Sequence, residues 1–146
     1  MEYKDEIIKI IKEKESYSKY SIGVSDDKIV QIEEILKVKL PESYKWFLKN
    51  YGQILIMGVE IYGVLENKIL SCVKVTEDYR KFGLPNKFVV VENCDEWVYC
   101  IDTSNIEYGE CRVVDWDRID GIGIEEYESF LEFFYERLVT AMENWE

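Results

Sequence analysis

Phe88-Val89-Val90-Val91-Glu92, Trp97-Val98-Tyr99-Cys100-Ile101 and Cys111-Arg112-Val113-Val114-Asp115-Trp116 are three β-prone runs, rich in branched and aromatic residues. Asn93-Cys94-Asp95-Glu96 separates the first two, and a longer turn ending at Gly109 separates the second from the third. Connections this short leave no room for a crossover helix, so the three strands are expected to pair antiparallel.

Outward from this block the period changes to that of helices. Ile7, Ile8, Ile10 and Ile11 form one stripe of an amphipathic helix over about residues 3–14. A polar connection, Ser16 to Ser25, leads to a second helix, with Ser25 as its cap, Asp26 and Asp27 in its first turn, and Ile29, Ile32, Ile35 and Leu36 as its buried face. Pro41 suits the first position of a third helix, in which Tyr44, Phe47, Leu48 and Tyr51 recur at i, i+3, i+4 and i+7 before Gly52 ends it. Lys37, Lys39, Lys45 and Lys49 read as a solvated face.

Around Val59, Ile61 and Leu65 the period moves toward two, which predicts a strand. Val75, Tyr79 and Phe82 mark a short helix closed by Gly83, and Pro85 bars its continuation. A last helix is expected over about 125–144, burying Tyr127, Phe130, Leu131, Phe134 and Leu138, with Glu125, Glu126 and Glu128 at the positive end of its dipole. The order of elements predicts a single α+β domain over residues 1–146: an antiparallel sheet of about four to six strands covered by N-terminal helices and a C-terminal helix.

Composition narrows function. The 146 residues, 47% hydrophobic and 14% aromatic, suffice for one core without disulfides. Histidine is absent, which removes Ser-His-Asp and Cys-His nucleophile arrangements and histidine-containing zinc sites. The longest apolar runs stop far short of the roughly 20 residues a bilayer-spanning helix needs, so no membrane span is expected. Met1 to Glu6 places acids where a secretory signal has basic residues, which predicts a cytoplasmic protein whose Cys72, Cys94, Cys100 and Cys111 are reduced thiols. The net charge of −12 is uneven: residues 1–50 carry 10 basic and 10 acidic side chains, residues 51–91 carry 5 and 4, and residues 92–146 carry 3 and 16. An acidic last third disfavours direct contact with nucleic acid and favours a basic partner.

Specific chemistry is weaker. Asp115, Asp117 and Glu126 fall at positions 1, 3 and 12 of a calcium-loop pattern, but Ile119 and Asp120 occupy positions 5 and 6, where a ligand and glycine are required. Cys94, Cys100 and Cys111 lack Cys-x-x-Cys spacing, so no metal and no cofactor is expected. Paired acids such as Asp95 with Glu96 suit a solvated strand end better than general acid and base work. Gly121-x-Gly123 reads as a flexible turn before the last helix. What remains is a surface: Asp95, Glu96, Trp97, Asp115, Trp116, Asp117 and Asp120 lie near the ends of adjacent strands, mixing carboxylates with tryptophan. That set suits a basic protein partner; equally, the tryptophans belong to the core and the acids aid solubility.

Leu40-Pro41-Glu42-Ser43-Tyr44-Lys45-Trp46-Phe47-Leu48 with Tyr51-Gly52, Phe88 to Glu92, Tyr99 to Asp102, Gly109 to Asp117 and Ser129 to Tyr135 together resemble, in order and spacing, the SUKH immunity superfamily, which includes the yeast cell-wall synthesis regulator. The resemblance covers about residues 24–138 and is closest to Bacillus-type members paired with LXG-type secreted toxins. It implies a non-enzymatic α+β immunity protein that binds and neutralises a cognate toxin, such as a nuclease or deaminase, in the cytoplasm. A general protein-interaction scaffold is the alternative that the eukaryotic relatives suggest. No contact residue transfers by motif, and the helix over 3–14, outside the motifs, either packs on the domain or mediates self-association.

Overall fold

The structure, a computed structural model, describes residues 2–145. Its elements run α1 (Tyr3–Glu13), β1 (Ser18–Tyr20), α2 (Asp26–Leu36), α3 (Glu42–Asn50), β2 (Ile54–Ile56), β3 (Val59–Ile61), α4 (Ser71–Arg80), β4 (Phe88–Asn93), β5 (Val98–Glu107), β6 (Glu110–Asp117), β7 (Gly121–Tyr127) and α5 (Phe130–Asn144). The α+β class holds, with the strands divided between two antiparallel sheets in the orders β1-β2-β3 and β4-β5-β6-β7.

The larger sheet is a meander because its turns are tight. Tyr108 and Gly109, at φ 53° and 81°, form a two-residue loop that joins the Glu107–Glu110 pair, the backbone pattern that matches strand twist. Alternation along each strand then sorts the apolar side chains onto both faces. Val89, Ile101 and Val113 join Phe130, Phe133, Phe134 and Leu138 of α5 in the main core. Phe88, Val90, Val98, Cys100, Val114 and Trp116 form a second cluster on the other face, covered by Leu84 and by Val75 and Tyr79 of α4.

Two expected helix faces differ from what is observed. Helix α4 begins earlier than Val75, buries Cys72, Val73 and Thr76, and leaves Phe82 exposed under the Arg118 guanidinium at 4.8 Å. Helix α2 buries Ile29, Ile32 and Leu36 but not Ile35, and Ser25 stands at its N-terminus without a side-chain capping bond. Pro41 precedes α3 rather than opening it. At the end of α3, Gly52 sits at φ 71° and donates to the Leu48 carbonyl at 3.1 Å; a Cβ there would run into the Ile22 carbonyl. Lys37, Lys39 and Lys49 are exposed as expected, Lys49 meeting Asp26 at 2.8 Å, while Lys45 is half-buried 3.8 Å from Glu33.

The last helix starts at Phe130, later than expected. Ser129 accepts from the Glu132 amide at 3.1 Å while the Glu132 carboxylate accepts from the amide of Glu128, one residue before the cap, at 3.0 Å; together the two bonds fix the start. Glu125 and Glu126 therefore lie in β7, away from the helix dipole. Helix α1 packs on the domain: Ile7, Ile10 and Ile11 are buried, and Tyr3 meets Tyr135 of α5 at 5.4 Å between ring centroids.

Tyr44 and Phe47 of α3 meet Phe130 and Phe134 of α5 in an aromatic cluster with centroid separations of 5.1–5.6 Å across the helices. All four are fully buried. Truncation to Phe47→Ala or Phe134→Ala should cost about 3–5 kcal/mol, read from urea unfolding. A loss below about 1 kcal/mol would show that the cluster collapses without a cavity.

Candidate functional site

In a meander the β4–β5 and β6–β7 turns fall at the same end of the sheet. This gathers Asp95, Glu96, Trp97, Asp117 and Asp120 there. The register Val98–Trp116 places Trp97 and Asp117 one step beyond a paired position on neighbouring strands. Asp95 takes φ 72° in its turn, where its amide donates to Asn93 Oδ1 at 2.8 Å. Asp95, Glu96 and Asp120 are exposed. Trp97 is 37% exposed and meets Tyr99 edge-on at 6.3 Å.

The other three residues of the expected patch have structural duties. Trp116 is 5% exposed, lies in the second apolar cluster, and packs edge-on against Tyr79 at 6.4 Å. It stands beneath the surface and offers a partner little area. Asp117 Oδ1 accepts from the Ile119 and Asp120 amides at 2.8 and 2.7 Å, tying the β6–β7 turn. Asp115 is half-buried, and its Oδ1 accepts from the Glu125 amide at 3.0 Å.

Asp115 explains the shape of β7. Trp116 pairs with Ile122 and Val114 with Glu126, so three β7 residues stand opposite Asp115 alone. The carboxylate fills that bulge. It presses so closely on Gly123 that a Cβ there would displace the carboxylate. The bulge turns Ile124 outward to 99% exposure, beside Ile122 at 56% and Ile119 at 87%. These isoleucines were missed in the sequence because Gly121-Ile122-Gly123-Ile124 reads as a turn; its period-two alternation was the signal of a strand.

Behind the site, Glu92 and Arg137 form a two-pronged ion pair at 2.8 and 2.6 Å that ties β4 to α5, with the guanidinium 5.4 Å from the Tyr99 ring centroid. The Tyr99 hydroxyl donates to Glu125, and burial together with that bond raises its pKa. None of the four thiols is activated. Burial pushes Cys72 and Cys111 up to about 11; burial and then the Glu92 charge push Cys94 up to about 12, and burial also raises Cys100. A reactive cysteine needs the opposite shift.

Among the described residues, no three His, Cys, Asp or Glu side chains converge as metal ligands, and no helix is long and apolar enough to cross a membrane. An open groove of about 770 Å³, lined in part by Val30, Val38, Lys37, Lys87 and Ile106, lies toward the opposite end of the sheet from the acidic turns.

Comparison with known proteins gives two findings. The profile of the family described as SMI1-KNR4 cell-wall, in the SUKH group, matches residues 4–139. A crystal structure of a protein from Pseudomonas syringae pv. tomato is similar with a TM-score of 0.67 at 18% identity, covering 86% of this chain and 92% of that one, a likeness of fold.

Asp115→Ala should cost about 1 kcal/mol and speed amide exchange at Glu125, because the carboxylate is that amide's acceptor. Unchanged exchange would show that the bulge holds without it. Stability should also fall in alkali. The unfolded chain ionises its thiols near the ordinary value of 9.0 while the folded thiols wait until about 11–12, so the folded state binds more protons in that window and loses stability as pH rises through it. Urea midpoints at about pH 8 and about pH 10 check this, and Cys94→Ala should flatten the decline.

Proposed function

Because the chain belongs to the SMI1-KNR4 cell-wall family, we propose that it is an immunity protein acting in the cytoplasm, which neutralises a cognate toxin by stoichiometric binding rather than by catalysis. The observation that carries this reading is the gathering of exposed Asp95, Glu96 and Asp120 with half-exposed Trp97 at one end of a rigid sheet, in the third of the chain that holds 16 acidic and 3 basic residues. A toxin domain that degrades or deaminates nucleic acid presents a basic face to its substrate. An acidic end of this kind competes with the phosphates for that face, and complementary charge speeds the encounter.

The test is capture by the tagged chain from the source cell's lysate at low and high salt, followed by an activity assay of the retained protein. The expected result is one basic toxin-like protein, bound near one to one, released progressively by salt, and inhibited in proportion to the amount of added chain. Retention of many unrelated proteins, or of a partner whose activity is unaffected, would overturn the reading in favour of a general scaffold.

Charge reversal separates binding from folding. Glu96→Lys combined with Asp120→Lys should weaken that complex by tenfold or more, about 1.4 kcal/mol, and flatten its salt dependence. The melting temperature should not move, since both side chains are exposed and neither makes a side-chain hydrogen bond or ion pair among those seen in the structure.

A further inference from the structure

The two edges of the larger sheet are treated differently. At the β4 edge the Val90 amide donates to Thr76 Oγ1 of α4 at 2.9 Å, and the Val91 carbonyl accepts from the Tyr62 amide at 2.8 Å. That edge is closed. Strand β7 ends the sheet on the other side, and every residue from Ile122 to Glu126 is exposed. Ile119 in the preceding turn and Ile122 and Ile124 of the strand are exposed within six positions, while buried Val98 and Trp116 carry the packing at that end of the sheet. Exposed branched residues grouped on an edge strand are an aggregation hazard unless something covers them.

We propose that the β7 edge is a docking strip for an extended basic segment of a protein partner, whose alternating apolar side chains rest on Ile119, Ile122 and Ile124 while its lysines or arginines face Asp120 and Glu125. This deepens the immunity reading and rests on it for the identity of the partner, though not for the existence of the strip. Charge selects the occupant. A second copy of the chain, itself at −12 and most acidic in this same third, is repelled, whereas a cationic segment is attracted. Glu126 is held by Arg112 at 2.8 Å, and the Glu125 carboxylate is oriented by the Tyr99 hydroxyl, so the acidic rim is partly pre-set. The bulge stapled by Asp115 keeps the strip from being a flat edge open to any strand: contact must be made through the outward isoleucines.

A defined probe tests this without the natural partner. A short synthetic peptide alternating Lys with Val or Ile is titrated into the intact chain and followed by amide chemical shifts, beside one control with Glu for Lys and another with Ser for the apolar residues. The Lys/apolar peptide should shift residues 119–126 and saturate; both controls should bind at least about tenfold more weakly. Ile122→Ser with Ile124→Ser should weaken the first peptide by about tenfold or more with an unchanged melting temperature. Ile35→Ser, on the exposed face of α2, should leave binding as it is. The proposal is overturned if no peptide binds, if shifts map to the groove lined by Val30 and Ile106, or if the serine variant binds equally. It is also overturned if residues 119–126 shift with protein concentration alone, which would assign the strip to a second copy. A captured protein that is not inhibited would end the immunity reading and leave this result standing.

Discussion

The strands β4, β5 and β6 carry apolar side chains on both faces, and this governs the rest of the molecule. An antiparallel sheet ordinarily has one wet face, with polar residues alternating along each strand. Here Val89, Ile101 and Val113 look one way and Val90, Cys100 and Val114 the other, so neither face can be left to water. Helix α5, with α1 packed on it, takes the first face, and α4 the second. The main polar interruption on the α5 side, Glu92, is tolerated because Arg137 meets it with two hydrogen bonds and satisfies a charge that burial would otherwise penalise heavily. With both faces and the β4 edge closed, the parts of this sheet free to meet another molecule are its turns and the β7 edge. By elimination, the acidic turns and the β7 edge are what this sheet leaves to solvent.

How much of this was legible in the sequence depended on how strongly each segment repeats. Ile7, Ile10 and Ile11, then Tyr44, Phe47 and Leu48, each hold a helical period that the structure keeps. The runs beginning at Phe88, Trp97 and Cys111 are long enough to be read as strands, and the structure places strands at Phe88–Asn93, Val98–Glu107 and Glu110–Asp117. All three strands of the smaller sheet are three residues long, and only the last, whose apolar alternation is continued by Leu65 beyond its end, is legible near Val59. Strand β7 was lost for another reason: its glycines and exposed isoleucines look like a turn to any rule that ties strands to burial. Losing it pulled the last helix forward to Glu125. The bond from the Glu132 amide to the Ser129 hydroxyl places the true start, and Ser-x-x-Glu was in the sequence to be read.

The same contrast divides the acidic patch. Spacing grouped Asp115, Trp116 and Asp117 with Asp95, Glu96, Trp97 and Asp120, since all lie near strand ends. Alternation within β6 separates them: Trp116 points into the second cluster while Asp115 points the other way and holds the β7 backbone. Asp117 ties its own turn. Carboxylates therefore do two kinds of work in one small region. Those at 115 and 117 shape the backbone, and those at 95, 96 and 120 face solvent. Charge counting along a chain cannot make that division, because it turns on which backbone amides lack a partner. In the folded protein both kinds still add to one negative field, so a basic molecule approaching this end is drawn by all of them, whichever ones it touches.

Attraction and adhesion nevertheless have different sources. Solvent-exposed charges accelerate encounter and are weakened by salt, whereas buried apolar contact slows departure. A surface made of carboxylates alone would bind quickly and release quickly. In this fold the two ingredients are neighbours: the Asp117–Asp120 turn supplies charge, and the isoleucines that follow it supply apolar area, with Ile124 turned outward by the bulge that Asp115 holds. The bulge thus links a structural carboxylate to a contact surface. Asp115 lies against Gly123 and holds the Glu125 amide, the two residues that flank Ile124. An edge strand that is bent, acidic at its rim and apolar at its crest disfavours pairing with a like-charged copy and favours contact with a surface of opposite charge.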